Sequence, residues 1–170
     1  MNRVSRTIKR RRREAKTDYN SRLSLLMSKS PRLVVRKTNR YVIAQIVRAS
    51  IAQDSVIVGV SSKDLLQHGW SESHAGSLKS LAAAYLTGLL LAGKAKLSTP
   101  QAILDIGMQR NVKNSRIYAA LRGVVDGGLN VPHNASALPD DKRLESNPRT
   151  RELLIKLKGT LHHGRKGNKE

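Results

Sequence analysis

The spacing of apolar residues changes partway along the chain and predicts two kinds of structural element. The runs rich in Val and Ile lie at 33–35, 41–47 and 55–61. A polar hairpin signal joins the first two runs, and we expect Asn39 to adopt a left-handed conformation there. A polar connection containing Gln53 and Asp54 precedes the third run. Three strands this close in sequence predict an antiparallel meander.

Beyond the third run, the apolar spacing becomes helical. The residues that repeat at this spacing are Leu78, Leu81, Ala82, Tyr85, Leu86, Leu89 and Leu90. Such a broad stripe is typical of a helix packed on a sheet. A short apolar strand at 102–107 follows, and then a helix capped by Asn114 or Ser115 that ends at Gly127. The pattern predicts an α/β fold with a mixed sheet that begins with the meander and is covered by helices.

The two ends of the chain carry most of the polar sequence. Residues 1–30 are predicted to form a basic extended N-terminal arm and a short helix capped by Asp18. The five consecutive cations from Lys9 to Arg13 repel one another, so we expect them to remain unfolded until phosphates neutralise them. Residues 31–136 would form the α/β domain. Residues 137–170 would form a charged C-terminal extension, with one helix over 151–161.

The charge of the chain indicates a polyanionic partner. The 170 residues include 32 Lys and Arg against 12 Asp and Glu, which gives a formal net charge of +20. Residues 1–40 alone hold 14 basic and 2 acidic side chains. Nucleic acid is the simplest partner, although a targeting or solubilising role for the basic run is the alternative. Because aromatic residues make up only 3%, we expect contacts to phosphate and shape rather than base stacking.

Membrane association and secretion are not expected. The longest uncharged apolar stretch, at 80–93, has 14 residues, whereas a membrane span needs about 20. No apolar segment follows the N-terminal arginines, so the sequence shows no secretory signal. We therefore expect a soluble intracellular protein.

Three features resemble catalytic or metal-binding motifs. The segment from Gly88 to Ala95 approaches P-loop spacing, but no Ser or Thr follows Lys94. Asp105 could be the anchor carboxylate of a metal-dependent nuclease, although a capping or hairpin role is the simpler interpretation. The histidines lack the spacing of a helical zinc pair, and there is no Cys. We expect no enzymatic activity, no catalytic residue, no metal, no cofactor and no small-molecule substrate.

The cations beside the predicted hairpin have two interpretations. Arg36, Lys37 and Arg40 could contact phosphates, or they could protect a strand edge from aggregation. Composition alone leaves both interpretations open.

Several sequence blocks resemble one protein family. They are the segments from Thr17 to Leu26, from Pro31 to Asn39, from Ala84 to Leu90, from Leu104 to Gly107 and from Gly128 to His133. In collinear order over residues 9–145, the chain resembles the archaeal form of the universal ribosomal protein L-eighteen family. Gly127 stands where an alanine would be usual, and the segment after Asn147 matches nothing in the family.

The resemblance implies a structural constituent of the large ribosomal subunit in the cytoplasm. Such a protein binds 5S rRNA and helps attach it to the central protuberance, with 23S rRNA and neighbouring ribosomal proteins as further partners. The alternatives are a metal-dependent nuclease of similar topology and a free RNA chaperone acting through the arm. By position, the implied RNA-binding residues are Lys9, Arg10, Arg11, Arg12, Arg13, Lys16, Arg22, Arg32, Arg36, Lys37, Asn39 and Arg40, with Ser61, Ser62, Lys113 and Arg116 as weaker candidates.

Overall fold

A four-stranded mixed sheet forms the centre of the fold. The computed structural model describes residues 7–51, 53–95 and 99–163, with side chains through residue 161. The strands are β1 (Arg32–Lys37), β2 (Val42–Ser50), β3 (Gln53–Ser61) and β4 (Ile103–Asp105). They lie in the order β3-β2-β1-β4. The pairs β1–β2 and β2–β3 are antiparallel, and β4 is parallel to β1. The predicted meander and mixed sheet are confirmed.

Helices cover this sheet and flank it in sequence. They are α1 (Arg10–Arg13), α2 (Tyr19–Met27), α3 (Leu81–Ala95), α4 (Arg116–Asp126), α5 (Asp141–Leu144) and α6 (Pro148–His163). Two 3-10 segments, Ser62–Leu66 and Glu72–Ser77, were not predicted. They delay the start of α3, so Leu78 is buried just before the helix rather than inside it. No described helix is long and apolar enough to cross a membrane.

The two hairpin connections differ from the prediction. Asn39 does not have a positive φ, because Thr38 closes the turn instead: its N–H donates to the Tyr41 carbonyl at 2.8 Å, and its hydroxyl accepts from the Tyr41 N–H at 2.9 Å. The left-handed residue lies in the next connection, where Ile51 has a φ of 54°. Asp54 belongs to β3 rather than to the connection. It therefore pairs across the sheet.

Helix α3 is buried on almost every side, which explains why its sequence has no polar face. One side of the helix packs on the sheet and the others contact α4 and α6. From Ala82 to Ala92 every residue is buried. Leu33, Val35 and Ile46 contribute the sheet side of this core. A helix that is apolar all round belongs in a protein core.

Small residues allow α3 and α4 to approach at backbone distance. A Cβ added at Gly88 would overlap the carbonyl oxygen of Ala120, and one added at Gly123 would overlap the carbonyl oxygen of Tyr85. At Gly127 an added Cβ would overlap the side chain of Ala92. The glycine at 127 therefore fits this interface. The spacing that resembled a P-loop reflects helix packing.

We expect Gly88→Ala to lower the free energy of unfolding by about 3 kcal/mol, because backbone on α4 cannot move aside as a side chain can. The matched control is Gly93→Ala in the same helix, where an added Cβ meets nothing within 4 Å. Alanine favours the helix, so the control should be neutral or stabilising by up to about 1 kcal/mol. Denaturant unfolding measures both, and equal effects would contradict the close packing.

Candidate nucleic-acid interface

A buried arginine organises the face of the sheet opposite α3. Alternate side chains of a strand point to opposite faces, so Leu33 and Val35 enter the core while Arg32 and Arg36 lie on the other face. Arg32 is 3% exposed. Its Nη1 lies 2.8 Å from Asp105 Oδ2, and its Nη2 lies 2.8 Å from Asp54 Oδ1. Arg32 was a predicted RNA contact, but burial and these ion pairs give it a structural role instead.

Asp54 extends this ion network to α2. Its second oxygen, Oδ2, lies 2.9 Å from Arg22 Nη2. Burial opposes the ionisation of Asp54, but the hydrogen bonds and charges of Arg22 and Arg32 outweigh it and lower the pKa of the carboxyl. The network therefore connects α2, β3, β1 and β4. Because the Arg22 guanidinium is ion-paired with this carboxylate, Arg22 is a weaker candidate for RNA contact than the sequence indicated.

Asp18 caps the beginning of α2, as predicted. Asp18 Oδ1 accepts from the N–H groups of Asn20 and Ser21, and Oδ2 accepts from the Ser21 hydroxyl. These bonds lower the pKa of Asp18, and the bond from the Ser21 hydroxyl contributes most. The cap fixes where the arm ends and the folded part of the chain begins.

Arg36 lies against the turn that follows β4. Its Nη2 donates to Asp105 Oδ1 at 2.8 Å and its Nη1 donates to the Asp105 carbonyl at 2.6 Å. The N–H of Gly107 donates to the same Oδ1 at 2.9 Å. The Arg36 side chain is only 37% exposed because Asp105 holds it. Asp105 therefore has the expected turn role, and two arginines occupy the carboxylate that a nuclease would need for metal.

The β1–β2 hairpin presents the freely exposed predicted residues. Lys37, Asn39 and Arg40 are all exposed at its turn. Ser62 lies nearby but is fully buried, and its hydroxyl accepts from the Val42 N–H at 3.1 Å. Ser61 caps the following 3-10 segment, where its hydroxyl accepts from the Lys63 N–H at 3.3 Å. Both serines thus have structural partners, and burial removes Ser62 from the interface.

The basic arm is more ordered than its charge suggested. Arg10–Arg13 form one exposed helical turn rather than an unfolded run. Glu14 offsets the repulsion, with its carboxylate 3.8 Å from Arg10 Nε and 2.8 Å from Lys16 Nζ. Arg11 Nε donates to the Thr17 hydroxyl at 2.9 Å. Because these partners are exposed, the cations remain accessible.

Two neighbouring clefts and the parallel pairing of β1 with β4 place the arm and the hairpin at the same end of the sheet. A cleft of about 210 Å³ is lined by Arg12 of the arm and Met108, just after β4. A cleft of about 450 Å³ is lined by Arg22 and Gly107. The Arg36 guanidinium lies against Gly107. Parallel β1 and β4 both end here. We call this surface the basic edge: Lys9, Arg10, Arg11, Arg12, Arg13, Lys16, Arg36, Lys37, Asn39 and Arg40.

Comparison with known proteins identifies the family. The model of the family described as "Ribosomal large subunit proteins 60S L5, and 50S L18" matches residues 4–100 and 94–134. The chain belongs to this family. It is a structural protein of the large subunit of the cytoplasmic ribosome and not an enzyme, so the nuclease alternative is wrong. Among described residues, no group of three or more His, Asp or Glu could hold a metal ion.

Archaeal relatives bear out the sequence resemblance. The chain is 52% identical over 136 residues to large ribosomal subunit protein uL18 of Korarchaeum cryptofilum, covering 79% of this chain and 68% of the relative. It is 50% identical over 137 residues to the protein of that name from Methanoculleus marisnigri, covering 80% and 76%. The match to uL18 of Methanoregula boonei is 46% identical over 137 residues, with the same coverage.

Besides Arg22, Arg32, Ser61 and Ser62, the predicted residues Lys113 and Arg116 lie outside the basic edge. Lys113 is exposed in the loop before α4. Arg116 lines a cavity of about 490 Å³ at the beginnings of α3, α4 and α6, together with Lys79 and Asn147. That cavity shares no lining residue with the two clefts of the basic edge. Lys79 and the exposed Lys63 were not predicted, because Lys63 lies within the first unpredicted 3-10 segment and Lys79 follows the second.

The part of the chain beyond the family match contributes to the core. Matching stops at residue 134, before α5 and α6. Helix α6 buries Leu154 and Leu157, and its Lys158 lies 5.4 Å from the ring centre of Tyr85 in α3. The C-terminal extension of this uL18-family protein is therefore folded onto the common domain through residue 163.

We expect Asp105→Asn to lower the free energy of unfolding by about 3 kcal/mol, since it leaves the Arg32 guanidinium buried with one carboxylate instead of two. The control is Asp140→Asn, an exposed aspartate with no side-chain cap bond, which should change stability by less than about 0.5 kcal/mol. Denaturant unfolding at neutral pH compares them. An Asp105 variant as stable as the control would contradict the network.

Proposed function

We propose that this protein binds 5S rRNA through the basic edge and helps attach that RNA to the central protuberance of the large subunit. The observation that carries the proposal is the gathering of arm and hairpin cations at one end of the sheet. Membership in a family of large-subunit ribosomal proteins supports it, as does the net charge of +20. The 23S rRNA and neighbouring ribosomal proteins are the further partners we propose.

Phosphate contacts would supply most of the affinity. Lysines and arginines neutralise phosphates and release counterions, and a guanidinium can also hold two phosphate oxygens at once. Asn39 can offer its amide to a ribose hydroxyl from the exposed turn. The chain has few aromatic residues for base stacking: they make up 3% of it, Trp70 and Tyr85 are buried, and Lys9 Nζ lies 4.5 Å from the ring centre of Tyr19. Recognition would therefore depend on backbone shape.

A free RNA chaperone acting through the arm is the second candidate, since the arm holds six of the ten basic-edge residues. Deleting residues 1–16 separates the two. We expect the shortened chain to bind 5S rRNA more weakly but still in preference to an unrelated RNA of equal length. Competition binding measures this preference. Loss of all binding would favour the chaperone.

The hairpin itself can be tested without disturbing the ion network. We expect Lys37→Glu with Arg40→Glu to weaken 5S rRNA binding by at least about tenfold, or about 1.4 kcal/mol. Both side chains are exposed, so folding should survive. Arg36 is left unchanged because glutamate there would face Asp105. Titration of labelled 5S rRNA gives the dissociation constant.

The matched control reverses the same amount of charge elsewhere. Lys142 and Lys156 are exposed on the C-terminal extension, and changing both to Glu should weaken binding much less. If the hairpin cations only protect a strand edge, the hairpin variant would bind as the control does. That result in a folded monomer would remove the hairpin from the interface.

A further inference from the structure

We propose that the turn from Asp105 to Gly107 is a cradle that positions Arg36, so that one fixed edge of its guanidinium is presented to an RNA phosphate. This inference rests on the proposed RNA binding and goes beyond it by naming positioning residues. Asp105 and Gly107 would act through Arg36 and need not touch RNA themselves.

The hydrogen bonds of Arg36 leave one edge of the group available. Nη1 donates to the carbonyls of Val35 and Asp105, and Nη2 donates to Asp105 Oδ1. A guanidinium has five N–H donors in one plane. The Nε–H and the second Nη2–H have no hydrogen-bond partner among the residues that the structure describes. Two parallel donors along one edge match the spacing of two phosphate oxygens.

Gly107 supports the flat face of the same group. A Cβ added there would lie 2.9 Å from Arg36 Nη2, 3.0 Å from Cζ and 3.4 Å from Nε. Because the central carbon is nearly as close as the nitrogens, the glycine lies over the face of the guanidinium rather than beside an edge. Gly107 also has a φ of 59°, a conformation that favours glycine, and its N–H donates to Asp105 Oδ1. Any side chain at 107 would displace the guanidinium.

The charge balance leaves the cradle attractive to phosphate. The Asp105 carboxylate contacts two guanidiniums, those of Arg32 and Arg36, so its negative charge is compensated. Lys37 and Arg40 are exposed on the adjoining hairpin. An arginine already held in one orientation loses less conformational entropy on binding than a free one. Positioning would therefore raise affinity without adding a contact.

A double-mutant cycle tests the coupling between Gly107 and Arg36. The dissociation constant for 5S rRNA is measured for wild type, Gly107→Ala, Arg36→Ala and the double variant. We expect each single substitution to weaken binding by about tenfold, since Arg36→Ala removes the guanidinium and Gly107→Ala displaces it from the phosphate. The double variant should bind as Arg36→Ala does. Additive losses would overturn the positioning role.

Two further variants separate orientation from charge and from backbone strain. Arg36→Lys keeps the charge but lacks the planar fork, so it should bind almost as weakly as Arg36→Ala. Gly69→Ala introduces alanine at another positive φ, 103°, where its Cβ would meet only Leu157 Cδ2 at 3.6 Å. It should leave affinity unchanged. Wild-type affinity in Arg36→Lys would show that charge alone suffices and would overturn the cradle.

A measurement without RNA distinguishes failure of the cradle from failure of the proposed function. In ¹⁵N NMR of the free protein, the Arg36 Nε–H should report a rigid side chain in wild type and a mobile one in Gly107→Ala. Equal mobility in both would overturn the cradle whatever the protein binds. A rigid Arg36, with wild type showing no preference for 5S rRNA, would reject the proposed function. In that case the same cycle with 23S rRNA decides whether the cradle serves RNA.

Discussion

The burial of the Arg32 guanidinium between Asp54 and Asp105 is the constraint on which the functional face depends. A charge that is 3% exposed is tolerated only when its partners are held in place, and here those partners come from β3 and β4. The same two carboxylates also hold Arg22 of α2 and Arg36 of β1. One buried charge thereby links α2, β3 and β4 to the strand that carries Arg36.

The two faces of the sheet have different physical roles. On one face, α3 packs without a polar side, and glycine contacts bring α4 to backbone distance. On the other face, ion pairs take the place of an apolar layer. Apolar burial on the α3 face stabilises the fold. The residues of the opposite face can therefore be charged, as binding of a polyanion requires. The acidic residues of that face are internal partners, so they do not cancel the exposed cations of the basic edge.

The elements could be predicted because their apolar periods are local signals. The meander, α3 and the Asp18 cap depend on residues near in sequence, and each was confirmed. The role of Arg32 could not be predicted, because its partners lie 22 and 73 positions away and a cation in a basic segment equally fits a phosphate contact. The same holds for Gly88, whose neighbour across the helix interface is Ala120. The sequence located the segments that carry the candidate site. Which of their cations are buried in ion pairs and which are exposed could be seen only in the tertiary structure.

We propose that RNA meets this protein at the end of the sheet where the arm and the hairpin converge. Ultraviolet cross-linking of the full chain bound to a mixture of 5S and 23S rRNA, followed by mass spectrometry of the cross-linked peptides, tests this location. We expect 5S nucleotides attached to peptides spanning residues 7–16 and 36–41, and little on α6. Cross-links to 5S rRNA confined to α6 or to the loop around Lys113 would contradict the account.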